Sequence, residues 1–180
     1  MGINKIQGAN IYLGSINREQ LKQYFESFEQ DFEYKTEYLG GFGWPVEGSD
    51  KIFDDISKDY GEKIIELGIY THDDRLVGDI ALHTIQWRNR SAEIGVGIAS
   101  KDNRGKGYGT EAVKLILSYA FNDLGLDRVG ANTFEHNTGC RRALEKNGMV
   151  QEGVNRKAAY IAGRYYDRIL YSMLRDEYKK

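Results

Sequence analysis

Cysteine and proline are almost missing from this 180-residue chain, which has one of each, Cys140 and Pro45. A lone cysteine closes no internal disulfide, and no Cys/His cluster has the spacing of a zinc site, so no staple and no metal are expected. With one proline and no low-complexity stretch nothing reads as an interdomain linker, and no repeat recurs at a solenoid period. An excess of one charge is lacking too: 25 basic residues face 27 acidic ones, a formal net charge of −2. That leaves no overall electrostatic footprint for nucleic acid or for an anionic membrane, and neither is expected as a partner. Long hydrophobic runs are missing. The start, Met1-Gly2-Ile3-Asn4-Lys5-Ile6, is no signal peptide, Ile6 stands where a myristoylation motif wants Ser or Thr, and no stretch is long enough to span a bilayer. A reducing, cytoplasmic setting is expected, in which the glycosylation pattern Asn89-Arg90-Ser91 has no meaning.

What is present is ordinary for a folded soluble protein, with 41% hydrophobic and 29% charged residues. One domain over residues 1–180 is expected, long enough to bury a core without staples. Ile11 to Ile16 reads as a strand, and Asn17 as the N-cap of a helix from Arg18 to about Phe32. Gly40-Gly41-Phe42-Gly43-Trp44-Pro45 breaks regular structure, and a second helix is expected from about Ser49, its cap, to Tyr60. Ile64–Thr71, Leu76–His83 and Glu93–Ala99 read as strands, with turns at Asp73-Asp74 and Arg88-Asn89-Arg90. From Thr110 to Leu124, Val113, Ile116, Leu117, Ala120, Phe121 and Leu124 recur at helical spacing, and Gly125 closes the helix. A strand Arg128–Phe134, a helix Thr138–Lys146 and a hairpin of Val154–Ile161 and Tyr165–Leu174 around Ala162-Gly163 complete the chain. The strand–helix alternation after position 93 argues one parallel crossover in an otherwise antiparallel sheet. The fold class expected is α+β, a mixed, largely antiparallel central sheet flanked by helices.

The most informative stretch is Arg104-Gly105-Lys106-Gly107-Tyr108-Gly109-Thr110, between a strand and an amphipathic helix. Alternate glycines remove the Cβ atoms that would block a ligand and permit φ > 0, so that several N–H groups converge. The helix that follows offers unpaired N–H groups and a partial positive charge, a site for an anion such as a pyrophosphate. Arg104 and Lys106 add full charges. The plainer reading is a loop that is glycine-rich only to turn the chain. A P-loop would close on Gly-Lys-Ser/Thr, but Lys106 is followed by Gly107; a dinucleotide fingerprint would need glycine where Thr110 stands.

These residues do resemble the acyl-CoA loop of the GNAT N-acetyltransferase superfamily, Arg/Gln-x-x-Gly-x-Gly/Ala, met here by Arg104, Gly107 and Gly109. Ala92-Glu93-Ile94-Gly95-Val96-Gly97-Ile98 is similar to the strand preceding that loop, and Thr110-Glu111-Ala112 to the opening of the family's long helix. Asn137 and Glu145-Lys146-Asn147-Gly148-Met149 resemble a later family segment, with Met149 for the usual Phe. The tail, from Glu152-Gly153 through Tyr160-Ile161-Ala162-Gly163 to Tyr166-Asp167, is similar to the branch holding ribosomal-protein and spermidine N-acetyltransferases. The resemblance implies the GNAT fold, acetyl-CoA as co-substrate and transfer to an amine. Pantetheine would lie along Gly97, Ile98 and Ala99, and backbone N–H groups of Arg104, Gly105, Lys106, Gly107, Tyr108, Gly109 and Thr110 would take the pyrophosphate. Asn137 would contact the cofactor arm, and as a plain helix cap it could do both.

An amine attacks a thioester only when neutral, so the reaction needs a base, and it gains from an acid for the departing thiolate. Period-2 alternation puts Glu93 on the side of the bare Gly95 and Gly97, which makes it the candidate catalytic base; its alternative is an edge carboxylate paired with Arg88 or Arg90. His83 ranks second. Relatives carry an acidic tyrosine where Leu144 stands, or a serine and a glutamate where Cys140 and Ala159 stand, which leaves the acid unassigned.

Glu26, Glu29, Asp31, Glu33, Glu37, Asp50, Asp54, Asp55 and Asp59 are either a wall attracting a cationic acceptor or solvated helix faces. Tyr34, Tyr38, Phe42 and Trp44 line an acceptor pocket or pack as core. The acceptor is an amine-bearing small molecule, polyamine or peptide N-terminus, and assembly as a homodimer stays open. The rival reading is a non-catalytic acyl-CoA-binding or sensing module of the same fold; a nucleotide-binding domain of unrelated chemistry is the third.

Overall fold

The computed structural model describes residues 5–26, 48–161 and 163–179. Its eight strands are β1 (Ile6–Gln7), β2 (Ile11–Gly14), β3 (Ile65–Thr71), β4 (Leu76–Gln86), β5 (Ser91–Gly97), β6 (Arg128–Phe134), β7 (Val150–Ile161) and β8 (Arg164–Leu174). They form one sheet in the order β1-β2-β3-β4-β5-β6-β8-β7. β5 and β6 pair in parallel; the other neighbours are antiparallel. Four α-helices are described: α1 (Arg18–Glu26), α2 (Gly48–Asp59), α3 (Tyr108–Ser118) and α4 (Thr138–Lys146). This is the mixed, largely antiparallel sheet that the alternation implied, with its one parallel pair at the expected crossover.

The two faces of the sheet differ sharply in chemistry. Ile65, Leu67 and Ile69 of β3, Ile80 and Leu82 of β4, Ala92 and Ile94 of β5, and Val129 and Ala131 of β6 are buried in one cluster with Val113, Ile116 and Leu117 of α3. Each large side chain so buried contributes about 1.5–3 kcal/mol of hydrophobic stabilisation. On the opposite face the same strands present Glu66, Asp79, Ala81, His83, Glu93, Gly95 and Asn132, because successive residues alternate sides.

α1 docks near that second face. Asn17 caps it as expected, accepting from the Gln20 N–H (2.8 Å) while Gln20 Oε1 accepts from the Asn17 N–H (3.0 Å), a reciprocal capping box. Arg18 then fastens α2 through Asp50 (3.0 Å) and Asp54 (2.5 Å), so two of the acidic residues on α2 are tied to a neighbouring helix. α2 opens at Gly48, which places Ser49 inside its first turn rather than at its cap. Glu29, Asp31, Glu33, Tyr34, Glu37, Tyr38, Phe42, Trp44 and the glycine-rich break at 40–45 lie outside the described residues, as does the far end of the first helix.

The long central helix departs from expectation at its end. It is α-helical only to Ser118, and Tyr119–Asp123 form a single π turn that still buries Ala120 and Phe121. The Leu124 N–H reaches back five residues to the Tyr119 carbonyl (3.0 Å), and Gly125 follows at φ +68°. No described helix is long and apolar enough to cross a membrane.

Candidate active site

The sheet is open at one place. Pairing of β5 with β6 runs from Ser91↔Arg128 to Ile94↔Ala131 and stops, although the strands continue to Gly97 and Phe134. β5 stays with β4, where Gly97 pairs with Asp79, and β6 stays with β8 to its end. The two strands therefore separate beyond Ile94 and Ala131, and their facing edges lack backbone partners across the gap. Two cavities meet at this gap and share Val96, Asn137 and Cys140 as lining residues.

The first is a groove of about 530 Å³ on the helix side. α3 and α4 both begin at it, so Tyr108, Gly109 and Thr110 from one first turn face Thr138 and Gly139 from the other. Two helix N-termini thus direct unpaired N–H groups and positive dipole ends to one place. Gly105 and Gly107 stand at φ +75° and +88°, and a Cβ on either would meet nothing within 4 Å. Their backbone faces open groove. Arg104, Arg142 and Lys146 border it and no described carboxylate does. The groove fits a polyanion with an extended arm, which is the shape and charge of CoA.

Arg104 has a second job. Its Nε donates to the Ile98 carbonyl (2.9 Å) and its Nη2 to the Ala99 carbonyl (2.8 Å), which ties the loop to the strand it leaves. The Asn137 side chain accepts from the Cys140 N–H (3.0 Å), capping α4, while also lining both cavities.

The second cavity, about 370 Å³, opens on the opposite face. Glu66, Asp79, His83, Asn132 and Arg168 line it, with Leu144 and Cys140 at the gap. Glu66 and Asp79 are diagonal neighbours on β3 and β4, since Glu66 pairs with Ala81 and Asp79 with Gly68. Burial raises both carboxyls above the usual carboxylate range, Glu66 well above it, and the charge of Asp79 and a hydrogen bond to it raise Glu66 further. The Tyr24 hydroxyl donates to Asp79 Oδ1 and, with the Glu66 hydrogen bond, pulls Asp79 the other way. One proton between them, carried by Glu66, satisfies both shifts. Burial also lowers the His83 pKa against the opposing pull of Glu93, favouring the neutral imidazole.

The structure brings together Ile98, Arg104, Gly105, Gly107, Tyr108, Gly109, Thr110 and Asn137 along the groove. Gly97, Ala99 and Lys106 are not in its lining. Gly97 is buried against β4, where its carbonyl leaves no room for a side chain at Gly78, and Ala99 packs beside Tyr24 and Leu76. Glu93 lines neither cavity: it pairs with Gly130 below the point where the strands part, and its carboxylate accepts from Asn132 Nδ2 (3.3 Å). Leu144 is buried in the core cluster. Cys140 is half-buried and in no disulfide, and Ala159 lies on β7 outside both cavities. Sequence reasoning passed over Glu66, Asp79 and Tyr24. The signal for the first two was a carboxylate in the middle of an apolar strand, Ile65-Glu66-Leu67 and Gly78-Asp79-Ile80. Arg142 and Lys146 were missed as well; their i,i+4 spacing puts both on one face of α4. No group of three or more His, Cys, Asp and Glu among the described residues is arranged to hold a metal.

Known proteins resemble this chain in sequence and fold. The family model described as "Acetyltransferase (GNAT) domain" matches residues 10–150. The putative ribosomal N-acetyltransferase YdaF of Bacillus subtilis is 38% identical over 115 residues, which are 64% of this chain and 62% of that protein. The chain spans about three fifths of the length of this relative and of two other curated relatives it matches. A crystal structure of a probable acetyltransferase superposes with a TM-score of 0.85 at 29% identity, covering 98% of this chain and all of that one. The spermidine N-acetyltransferase of Vibrio cholerae, solved with CoA and spermine, superposes at 0.84 with 19% identity over 95% of this chain and 99% of that one, a likeness of fold.

Proposed function

This chain belongs to the GNAT acetyltransferase family, and from that premise we propose that it transfers the acetyl group of acetyl-CoA to a primary amine in a ternary complex. The observation that carries the reading is the meeting, where β5 and β6 part, of a cationic groove with a cavity that holds a buried pair of carboxyls. A polyanionic donor suits the cationic groove, and a cationic acceptor suits the acidic cavity. The thioester would come to the gap between them.

The loop from Arg104 to Thr110, including Gly105, Lys106, Gly107, Tyr108 and Gly109, is proposed to hold the pyrophosphate. Gly97, Ile98 and Ala99 are proposed to flank pantetheine. Since Arg104 already occupies the carbonyls of Ile98 and Ala99, their N–H side and the unpaired edge at Val96 are better suited to new hydrogen bonds. Asn137 would hold the arm from the α4 side. Glu93 is proposed to add negative charge beneath the acceptor, one pairing row below the gap. A single acetyltransferase domain over residues 1–180 is the corresponding domain assignment.

The acceptor is proposed to be a polyamine, a peptide N-terminus or another amine-bearing small molecule. A relative named as a spermidine acetyltransferase and one named as a ribosomal acetyltransferase mark the two ends of that range. Leu144, an aliphatic core residue at the position of the family's acidic tyrosine, favours a second reading, an acyl-CoA-binding module without turnover.

Thermal melting with acetyl-CoA, CoA, ATP and NAD, each in excess, tests the donor. A ligand at 100 times its dissociation constant adds about 2.7 kcal/mol, roughly 5–10 °C for a chain of this size. A shift with the CoA species alone, followed by amine-dependent release of free thiol, is expected. A shift without thiol release from any amine leaves the binding module, and no shift with CoA removes both readings.

A further inference from the structure

We infer that the Glu66–Asp79 pair, steadied by the Tyr24 hydroxyl, is the group that takes the proton from the acceptor's ammonium. This rests on the transferase reading above and assigns it a base. Three observations converge on the pair.

The first is position. Glu66, Ala81 and Gly95 stand in one row across β3, β4 and β5. Strands lie about 4.8 Å apart, so the Glu66 and Gly95 Cα atoms are roughly 10 Å apart. Between them stand the Ala81 methyl group and, over Gly95, the His83 ring, whose Cδ2 and Nε2 lie 3.5 Å from where a Cβ at Gly95 would be. Gly95 is the first β5 residue beyond the last pair with β6. The row brings the Glu66 carboxyl into the same cavity as Gly95, with the His83 ring bordering the way to the gap where the thioester would lie. Glu93 is on the same face, two residues from Gly95, but it lines neither cavity and its carboxylate accepts from Asn132 Nδ2.

The second is enclosure. Both carboxyls line the 370 Å³ cavity that shares Val96, Asn137 and Cys140 with the donor groove. The groups facing them are Tyr24 from α1, Tyr60 after α2, His83 on β4 and, across the cavity, Arg168 from β8, with Glu93 on β5 acting on His83. None of these is a cation paired with either carboxyl among the described residues, so the acceptor would bring the compensating positive charge.

The third is chemistry. The shared proton leaves the pair one negative charge, which attracts an ammonium, and burial favours taking a second proton. In the balanced step the ammonium gives one proton to the pair. The neutral nitrogen forms the N–C bond on the acetyl carbonyl carbon as the C–S bond breaks. The nitrogen's second proton goes to the departing thiolate, so no tyrosine at position 144 is needed. The pair returns its proton to water with product release, one proton per turnover.

The test uses the full chain with spermidine and a serine-terminated peptide as amines, following kcat/KM over roughly pH 5 to 9. Asp79→Asn and Glu66→Gln should each lower kcat/KM for the amine by about 100-fold or more, with the acetyl-CoA dissociation constant unchanged. In wild type the acid limb should lie above the usual carboxylate range. Asp79→Asn should move the limb of the remaining activity up, since only the Glu66 carboxyl, raised by burial, is left as base; Tyr24→Phe should also move it up, by removing a donor that lowers Asp79. A merely structural role predicts no such shifts of the limb. Should either isosteric variant fail to fold, shown by loss of the acetyl-CoA melting shift, the other and Tyr24→Phe carry the test. Acetylation by wild type with an unmoved acid limb and rates within about threefold in the variants overturns the inference and leaves the transferase. Acetyl-CoA binding with no acetylation of either amine by wild type overturns the transferase reading and the inference with it.

Discussion

The two cavities at the gap between β5 and β6 are built in opposite ways. The donor groove owes most of its character to one contiguous loop, Arg104 to Thr110, and to the first turn of a helix that starts at Thr138. The acidic cavity gathers Glu66, Asp79, His83, Asn132 and Arg168 from four strands, with Tyr24 from α1. One site is a motif and the other an assembly. The groove's charge is written along the chain, whereas the cavity's charge exists only once strand register places Asp79 diagonally to Glu66.

This contrast predicts that damage on one side leaves the other intact. The largest effect is expected from Gly107→Val. Valine at φ +88° is strained, and its side chain would stand in the groove. We expect acetyl-CoA binding at least about 100-fold weaker, measured by calorimetry. The Glu66–Asp79 titration, followed by carboxyl ¹³C NMR, should not change. Normal acetyl-CoA affinity would overturn the loop assignment.

Next in size is the gap between two carboxylate variants. Glu93→Gln should reduce kcat/KM for the amine less than about tenfold, against the much larger loss expected for Asp79→Asn, because Glu93 lies outside both cavities. An equal or greater loss in Glu93→Gln would return the base role to Glu93. Smaller again is Arg142→Ala with Lys146→Ala. Removing two cations from the groove should weaken acetyl-CoA about tenfold at low salt and less at high salt. The amine's KM should not move.

The same contrast explains what the sequence disclosed. The helix Thr138–Lys146 and the strand Arg128–Phe134 emerge with their expected bounds, since period, cap and closing glycine all agree there. The glycine loop was readable because its chemistry is local. Glu93 looked like the base because alternation puts it on the correct face. Alternation does not say where two parallel strands stop pairing, and that endpoint, at Ile94 and Ala131, leaves Glu93 on the closed side. Glu66 and Asp79 were invisible as a pair because 13 positions and a reversal of direction separate them. The π turn at Tyr119–Asp123 was hidden for a related reason: it keeps the same apolar residues buried that a continuous helix would.

The smallest effect concerns stability, and its sign separates the acidic cavity from an ordinary surface carboxylate. Glu66 titrates higher in the folded chain than in the unfolded one, so the native state holds the extra proton. Its contribution is therefore favourable at low pH and is lost as pH rises from the ordinary carboxylate range through the raised value. Glu152 behaves in reverse. Hydrogen bonds from Arg128, at 2.9 and 2.5 Å, and from Ser172 hold its carboxyl down to about 2, so its contribution is present above the ordinary range and fades as pH falls toward 2. Both partners are 42% exposed, which limits that pair to under about 1 kcal/mol. Asp79→Asn should then raise the melting temperature near pH 8 by a few degrees, each kcal/mol being worth about 2–4 °C at this size. The gain should shrink toward acid pH, as the native pair takes up its second proton. Arg128→Met should lower the melting temperature near pH 8 and do nothing near pH 2. A variant that gains stability while losing turnover is what a functional strain at Glu66 and Asp79 requires. An Asp79→Asn protein destabilised equally near pH 8 and at acid pH would make the pair a structural hydrogen bond.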